Sequence, residues 1–246
     1  AGNEEVMQAT VKLAKLHGVN VGAHPGWNDK KNFGRLEMKV SPEDAEVIVF
    51  QQIDALAKIA KKEGVDLIHV KPHGALYNQA AKDRMLADAI VRAVKRVSVD
   101  LILVGLAGSG LCEAGAEAGI RVAGEGFPDR AYNPDGTLMS RSKQGALIES
   151  PEEVARNALK LIKDGILFGE KKVSVDTLCL HGDNIRAAEN AKLLRETFTT
   201  DLLVSMGPTK RTSRRTSRSS TRELTRRSKS GRRRCCHSGE QKSSRT

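Results

Sequence analysis

Aromatic side chains are scarce in this sequence. One Trp, two Tyr and five Phe make up 3% of 246 residues, so any core must be aliphatic. Cysteine is also sparse: four residues with no CxxC pair exclude a disulfide scaffold and a zinc finger. No apolar run approaches the roughly 18 residues of a membrane helix. The opening stretch, AGNEEVMQATVKLAKLHG, does not follow the charged-then-apolar order of a signal peptide. The expectation is a cytoplasmic protein without a membrane partner. Hydrophobic residues at 39% and charged residues at 29% are ordinary for a chain with a real core.

Charge of one sign is missing from most of the chain. The formal net charge is +11, yet residues 207–246 hold 14 of the 41 basic and 2 of the 30 acidic side chains. That segment therefore carries +12, and residues 1–206 carry −1. A basic nucleic-acid-binding face on the whole molecule is excluded. The last 40 residues contain no Val, Ile, Phe, Tyr or Trp. They cannot bury enough apolar surface to offset the entropy of ordering, and are expected to be a disordered Arg/Ser-rich tail. Such a tail is a solvated appendage, a non-specific grip on phosphates, or the product of a shifted reading frame. Nucleic acid is expected as a partner only through it.

What the first 206 residues do contain is an alternation of short apolar runs and amphipathic segments. Strands are expected at 18–23, 65–70, 100–105, 120–123 and 176–180, with a weaker apolar run at 202–204. Ser41-Pro42-Glu43-Asp44 opens a helix, because Ser caps, Pro suits the first turn and the acids favour the positive end. Ser150-Pro151-Glu152-Glu153 opens another in the pattern of a capping box. Further helices are expected near 84–97, 109–118 and 187–197, and residues 127–150 read as irregular. The fold class is α/β, a parallel sheet covered by helices. Periodicity alone fits a doubly wound sheet and a barrel equally.

Polar groups fall where such folds keep their ligands. His24, His73 and His181 follow apolar strands, and Glu125 lies beyond the fourth. Ligands gather at the C-terminal ends of parallel strands, so these groups are expected to share one site. Lys71 lies two residues before His73 and shares its side of the chain, as an anion binder or a base. Arg35 and the Asp129-Arg130 pair are candidate anion clamps, or loop-bracing ion pairs. His69 reads as structural. Gly108-Ser109-Gly110 is a weak candidate for holding phosphate on backbone N–H groups. Complete P-loop, dinucleotide-binding, serine-hydrolase and zincin motifs are absent from the sequence. No spacing is diagnostic of a metal, so metal binding stays open.

Several blocks occur in order: Gly22-Ala-His24-Pro-Gly26, Phe33-Gly-Arg35, His69-Val-Lys-Pro-His-Gly-Ala-Leu-Tyr-Asn78, Val104-Gly-Leu-Ala-Gly-Ser109, Asp129-Arg-Ala-Tyr132, Pro134-Asp-Gly-Thr-Leu138, Ser140-Arg141 and His181-Gly-Asp183. Together, over about residues 1–194, they resemble the LamB/YcsF family. The resemblance implies a distorted TIM-like (β/α) barrel related to polysaccharide deacetylases. It also implies ATP-dependent opening of 5-oxoproline to glutamate, with the B and C subunits of a 5-oxoprolinase as partners. On that chemistry His73 or Asp183 is the expected base. Lys71 with Arg130 or Arg35 would stabilise anions, and His24 and His181 would orient water or substrate. Glu125, Asp129, Tyr132 and Arg141 join Arg35 and Arg130 as expected substrate-binding residues. Against the family pattern, the first strands and their acidic and histidine groups are expected to be missing. The barrel would then be incomplete at its N-terminus and this chain low in activity or inactive. Two other classes stand beside this one: a deacetylase-like carbohydrate hydrolase, and nucleic-acid association through the tail.

Overall fold

The structure, a computed structural model, describes residues 2–168, 170–182 and 186–205. The expected tail at 207–246 and Asp183 lie outside the described residues.

Helix starts follow the local chemistry. In α1 (Glu4–Leu16), the Asn3 side chain accepts from the N–H of Val6. The Ser41 hydroxyl accepts from Asp44 N at the start of α2 (Pro42–Lys62), with Pro42 in the first turn. Ser150 caps α6 (Pro151–Asp164) in the same way, accepting from Glu153 N. The capping box is not closed by Glu153 as expected; Ser150 Oγ instead donates to Glu152 Oε2 at 2.7 Å. The other helices are α3 (Gly74–Ala80), α4 (Arg84–Val97), α5 (Gly110–Glu117) and α7 (Ala187–Ser205). The apolar run at 202–204 is the last turn of α7 rather than a strand. No Gly or Pro interrupts residues 187–205, so nothing stops the helix before it. Among the described residues, no helix is long and apolar enough to cross a membrane.

The strands β1 (Val21–Ala23), β2 (Leu67–Val70), β3 (Ile102–Leu106), β4 (Val122–Gly126) and β7 (Thr177–Leu178) form one sheet in the order β1-β2-β3-β4-β7. All four pairings are parallel. Doubly wound sheets reverse direction at a switch point, whereas here each strand adds to the same side of its predecessor. That order belongs to barrels, and the sheet curls as a half-barrel. β5 (Ile166–Phe168) and β6 (Lys171–Val173) form a separate antiparallel pair that the sequence pattern does not separate from its surroundings.

The main core lies between the sheet and α2, α4 and α5. Val49, Ile53, Val70, Leu76, Ile90, Leu103 and Leu111 are buried there, and Trp27 is its one aromatic member. The aliphatic core expected from composition is what forms. At about 25 cal/mol per Å² of apolar surface removed from water, such burial is the main favourable term holding helices to sheet. One close approach fixes the first two strands. Gly22 is paired with His69, and a Cβ at Gly22 would lie 2.1 Å from His69 Nε2. The imidazole fills the space that glycine leaves, the structural role expected of His69.

Candidate active site

Parallel pairing delivers the ends of successive strands to one edge. His24 follows β1, Lys71 and His73 follow β2, and Cys179 and His181 follow β7. All five line one cavity of about 1780 Å³. Arg35, Arg130 and Arg141 line it too. It is a wide cleft partly open to solvent, larger than the range of about 300–1,000 Å³ usual for a small-ligand pocket.

Lys71 is held from three sides. Its Nζ lies 2.6 Å from Glu125 Oε1, 3.0 Å from Cys179 Sγ and 5.3 Å from the centre of the Phe127 ring. Glu125 is only 4% exposed and lies within β4 rather than beyond it. Tyr77 Oη donates to its second oxygen at 3.2 Å. Burial works against the ammonium charge, but the Glu125 carboxylate and the Cys179 sulfur outweigh it, so the Lys71 pKa is raised. Burial and then Glu125 push the Cys179 thiol up to about 11, against the pull of Lys71. At neutral pH Lys71 is therefore an ammonium and Cys179 a thiol. Burial, then Glu125, raises the Tyr77 pKa well above its ordinary value, keeping it a donor.

His181 is held by Asp129. Asp129 Oδ2 lies 2.9 Å from His181 Nδ1 and 3.1 Å from its backbone N–H. A carboxylate only accepts, so Nδ1 carries the proton and neutral His181 keeps its lone pair on Nε2. The His181 ring stacks on Phe127 at 5.5 Å and 20°. Asp129 is 4% exposed, and its Oδ1 is buried without a hydrogen-bond partner among the described residues.

His24 and His73 form a third cluster. His24 Nδ1 lies 2.6 Å from Lys71 O, and His73 Nε2 lies 2.8 Å from Phe33 O. The remaining nitrogens, His24 Nε2 and His73 Nδ1, are 2.9 Å apart. Both nitrogens of His73 are thus engaged, whereas among the described residues the His181 ring is hydrogen-bonded through Nδ1 only.

Glu125 and Asp129 do not line the cavity; they stand behind Lys71 and His181 and orient them. Tyr132 is likewise set back, its Oη accepting from Phe127 N at 2.7 Å. The buried Arg130 donates from Nη2 to Met139 O at 2.6 Å and from Nε to Ala146 O, bracing the 127–150 segment beside the cavity. Arg35 lies over the Phe33 ring at 5.4 Å. Gly108, Ser109 and Gly110 are not brought to the cavity. Ser109 N donates to Leu106 O and Gly110 N to Ala81 O, so two of the three amides expected to hold phosphate are committed to the turn. Sequence reasoning passed over Tyr77, Phe127 and Cys179. Tyr77 lies in the His69–Asn78 block, and Cys179 lies two residues before His181, the strand spacing that links Lys71 to His73.

A model of the LamB/YcsF family matches residues 1–212. The chain belongs to the LamB/YcsF family. Relatives within it include the A subunit of 5-oxoprolinase from Pyrococcus furiosus, 49% identical over 199 residues, which span 79% of this chain and 78% of that one. The protein of the same name from Bacillus licheniformis is 47% identical over 199 residues, 79% of each chain. Among solved structures, the lactam utilization protein from Thermus thermophilus superposes with a TM-score of 0.73 at 44% identity, covering 82% of both chains. In this LamB/YcsF chain residues from each quoted sequence block line the cavity, the last through His181 and Gly182, while Gly108 and Ser109 lie away from it.

Proposed function

We propose that this chain is the A component of a 5-oxoprolinase-type hydrolase, acting on the lactam 5-oxoproline. The carrying observation is the meeting of His24, Lys71, His73 and His181 around one cavity, with Glu125 and Asp129 buried behind two of them. The names of the relatives, one a 5-oxoprolinase component and the other a lactam utilization protein, supply the substrate class. The reaction is the ATP-dependent opening of 5-oxo-L-proline to L-glutamate, together with the B and C subunits. One ATP and two waters enter; glutamate, ADP and phosphate leave.

A lactam is a resonance-stabilised amide that water attacks slowly. Phosphoryl transfer from ATP to the lactam oxygen makes the ring carbon electrophilic. His181 Nε2 then takes a proton from the attacking water, while Asp129 holds the ring and stabilises the imidazolium that forms. This favours His181 over His73 as base, because both His73 nitrogens are already bonded. Lys71, fixed as an ammonium by Glu125, faces the negative charge that builds on the oxygen. The ring C–N bond breaks, its nitrogen leaving as the amine, and the second water hydrolyses the acyl phosphate left at the former ring carbon to the side-chain carboxylate of glutamate and inorganic phosphate.

The test is glutamate release from 5-oxoproline by the full chain mixed with B and C subunits of a relative. Release that requires ATP and falls steeply in His181→Asn supports the reading. Absence of both glutamate release and 5-oxoproline binding, in a mixture where the relative's own A component is active, refutes it. Full activity in His181→Asn moves the base elsewhere.

A further inference from the structure

The contacts between His24 and His73 do not balance for two neutral rings. Lys71 O and Phe33 O are carbonyl oxygens and can only accept. His24 Nδ1, at 2.6 Å from the first, and His73 Nε2, at 2.8 Å from the second, must therefore both carry N–H. A neutral imidazole has only one N–H. The inner nitrogens, His24 Nε2 and His73 Nδ1, would then face each other as two lone pairs at 2.9 Å. That contact is attractive only with a third proton between them, and the pair then carries one positive charge.

Turning either ring over would set carbons in place of both of its bonded nitrogens, and both of its hydrogen bonds would be lost. His73 also packs where side chains are absent: Cβ atoms at Gly26 and Gly34 would lie 3.2 Å from His73 Cβ and 3.3 Å from His73 Cδ2. Phe33, which supplies the carbonyl, is the one non-glycine residue with positive φ among those described, at 56°. Its ring meets His73 edge-on, at 5.2 Å between centres. The turn is thus shaped around His73.

The charges facing the pair are Lys71, beside His24 on β2's exit, and Arg35, on the turn that carries Phe33. Both are cations and oppose the third proton. Burial opposes it further, taking His24 down to about 4 and His73 below its ordinary value. Geometry demands a proton that the cavity's own charges resist. An anion removes the conflict, and the cavity is built for one: seven Lys and Arg side chains line it against two carboxylates, Asp29 and Glu37.

We infer that His24 and His73 act as one proton-binding unit, and that a carboxylate or phosphate entering the cavity is bound together with one proton taken up between the two rings. Without the anion at neutral pH, the proton leaves and the inner contact opens. This rests on the cavity being the site of an anionic substrate, but it is read from protons rather than turnover. By linkage, anion affinity weakens as pH rises above the titration of the pair, by up to about tenfold per unit.

Calorimetry of the full chain with inorganic phosphate and, separately, with 5-oxoproline, in buffers of different ionisation enthalpy, counts the protons. The expected uptake near neutrality is about one per anion bound. Uptake with phosphate alone assigns the site to phosphoryl groups, and with 5-oxoproline alone to the carboxylate. In His24→Gln the amide NH₂ can donate to His73 Nδ1 without any added proton, so whatever anion binding is left proceeds without proton uptake. Anion binding without uptake in the unaltered chain, equal uptake in His24→Gln, or no binding of either anion overturns the inference. If His24→Gln does not fold, ¹⁵N-histidine NMR of the unaltered chain decides. One proton shared by the inner nitrogens with anion present supports the unit, and two neutral rings refute it. Loss of glutamate release with intact proton uptake would instead count against the lactam reading alone.

Discussion

Glu125→Gln removes one charge from the most buried ion pair of the site while keeping the shape of the side chain. In the intact protein the Lys71 side chain is 20% exposed and that of Glu125 is 5% exposed, with 2.6 Å between Nζ and Oε1. Removing one partner of a buried pair costs about 3–5 kcal/mol, because the other charge is left without compensation. The residual exposure of Lys71 admits water, so the lower end, about 3 kcal/mol, is expected. Urea unfolding of Glu125→Gln, Lys71→Met and the double variant measures the coupling. The double variant should cost less than the sum of the singles by about 2 kcal/mol. The pH dependence has a definite sign. In the intact protein the Lys71 pKa is raised above its ordinary 10.5, so its contribution is complete below that value and is lost as pH climbs through the folded value. In Glu125→Gln only burial and the thiol act on Lys71, its folded value drops, and the deficit against the intact protein narrows in alkali. Cys179 reports independently. Its thiol, now pushed up to about 11 by burial and then by Glu125, should titrate lower and alkylate faster at a given pH. Additive singles together with unchanged Cys179 reactivity would refute the account of Lys71 and Glu125 as a coupled, desolvated pair.

Two further outcomes follow from single contacts. Asp129→Asn removes the charge that fixes the His181 tautomer, so kcat for ATP-dependent glutamate release should fall about 10²–10⁴-fold with little change in KM; an unchanged kcat would sever Asp129 from the chemistry. Gly22→Ala places a Cβ 2.1 Å from His69 Nε2 and should lower stability by about 1–3 kcal/mol, read as a drop in Tm. Gly22→Ala with His69→Ala should recover part of that loss, and no recovery would show that the clash lies elsewhere.

Local signals in the chain were enough to determine much of this protein. Capping residues at Ser41 and Ser150, helical spacing of apolar residues and short aliphatic runs placed the main helices and the sheet strands, because these depend on neighbours in sequence. The motif blocks identified the family, and the position of His24, Lys71, His73 and His181 just after strands pointed to one edge. Several things depended on contacts between distant segments. The order β1-β2-β3-β4-β7 decided for a barrel-type sheet, since periodicity is the same whichever neighbour a strand takes. Cys179 joined Lys71 across 108 residues of sequence, and Phe127 came to lie against both Lys71 and His181. At the glycine turn, a weak candidate for holding phosphate, only the fold shows that the amides of Ser109 and Gly110 go to Leu106 O and Ala81 O. The division between His73 and His181 was likewise invisible in the chain. Both are histidines after strands, and only their partners, a second ring and a carbonyl for one and a buried carboxylate for the other, set which nitrogen keeps a lone pair. A residue's type supplies the chemistry it can do; its protonation and orientation are decided by groups that only the folded chain brings within hydrogen-bonding distance.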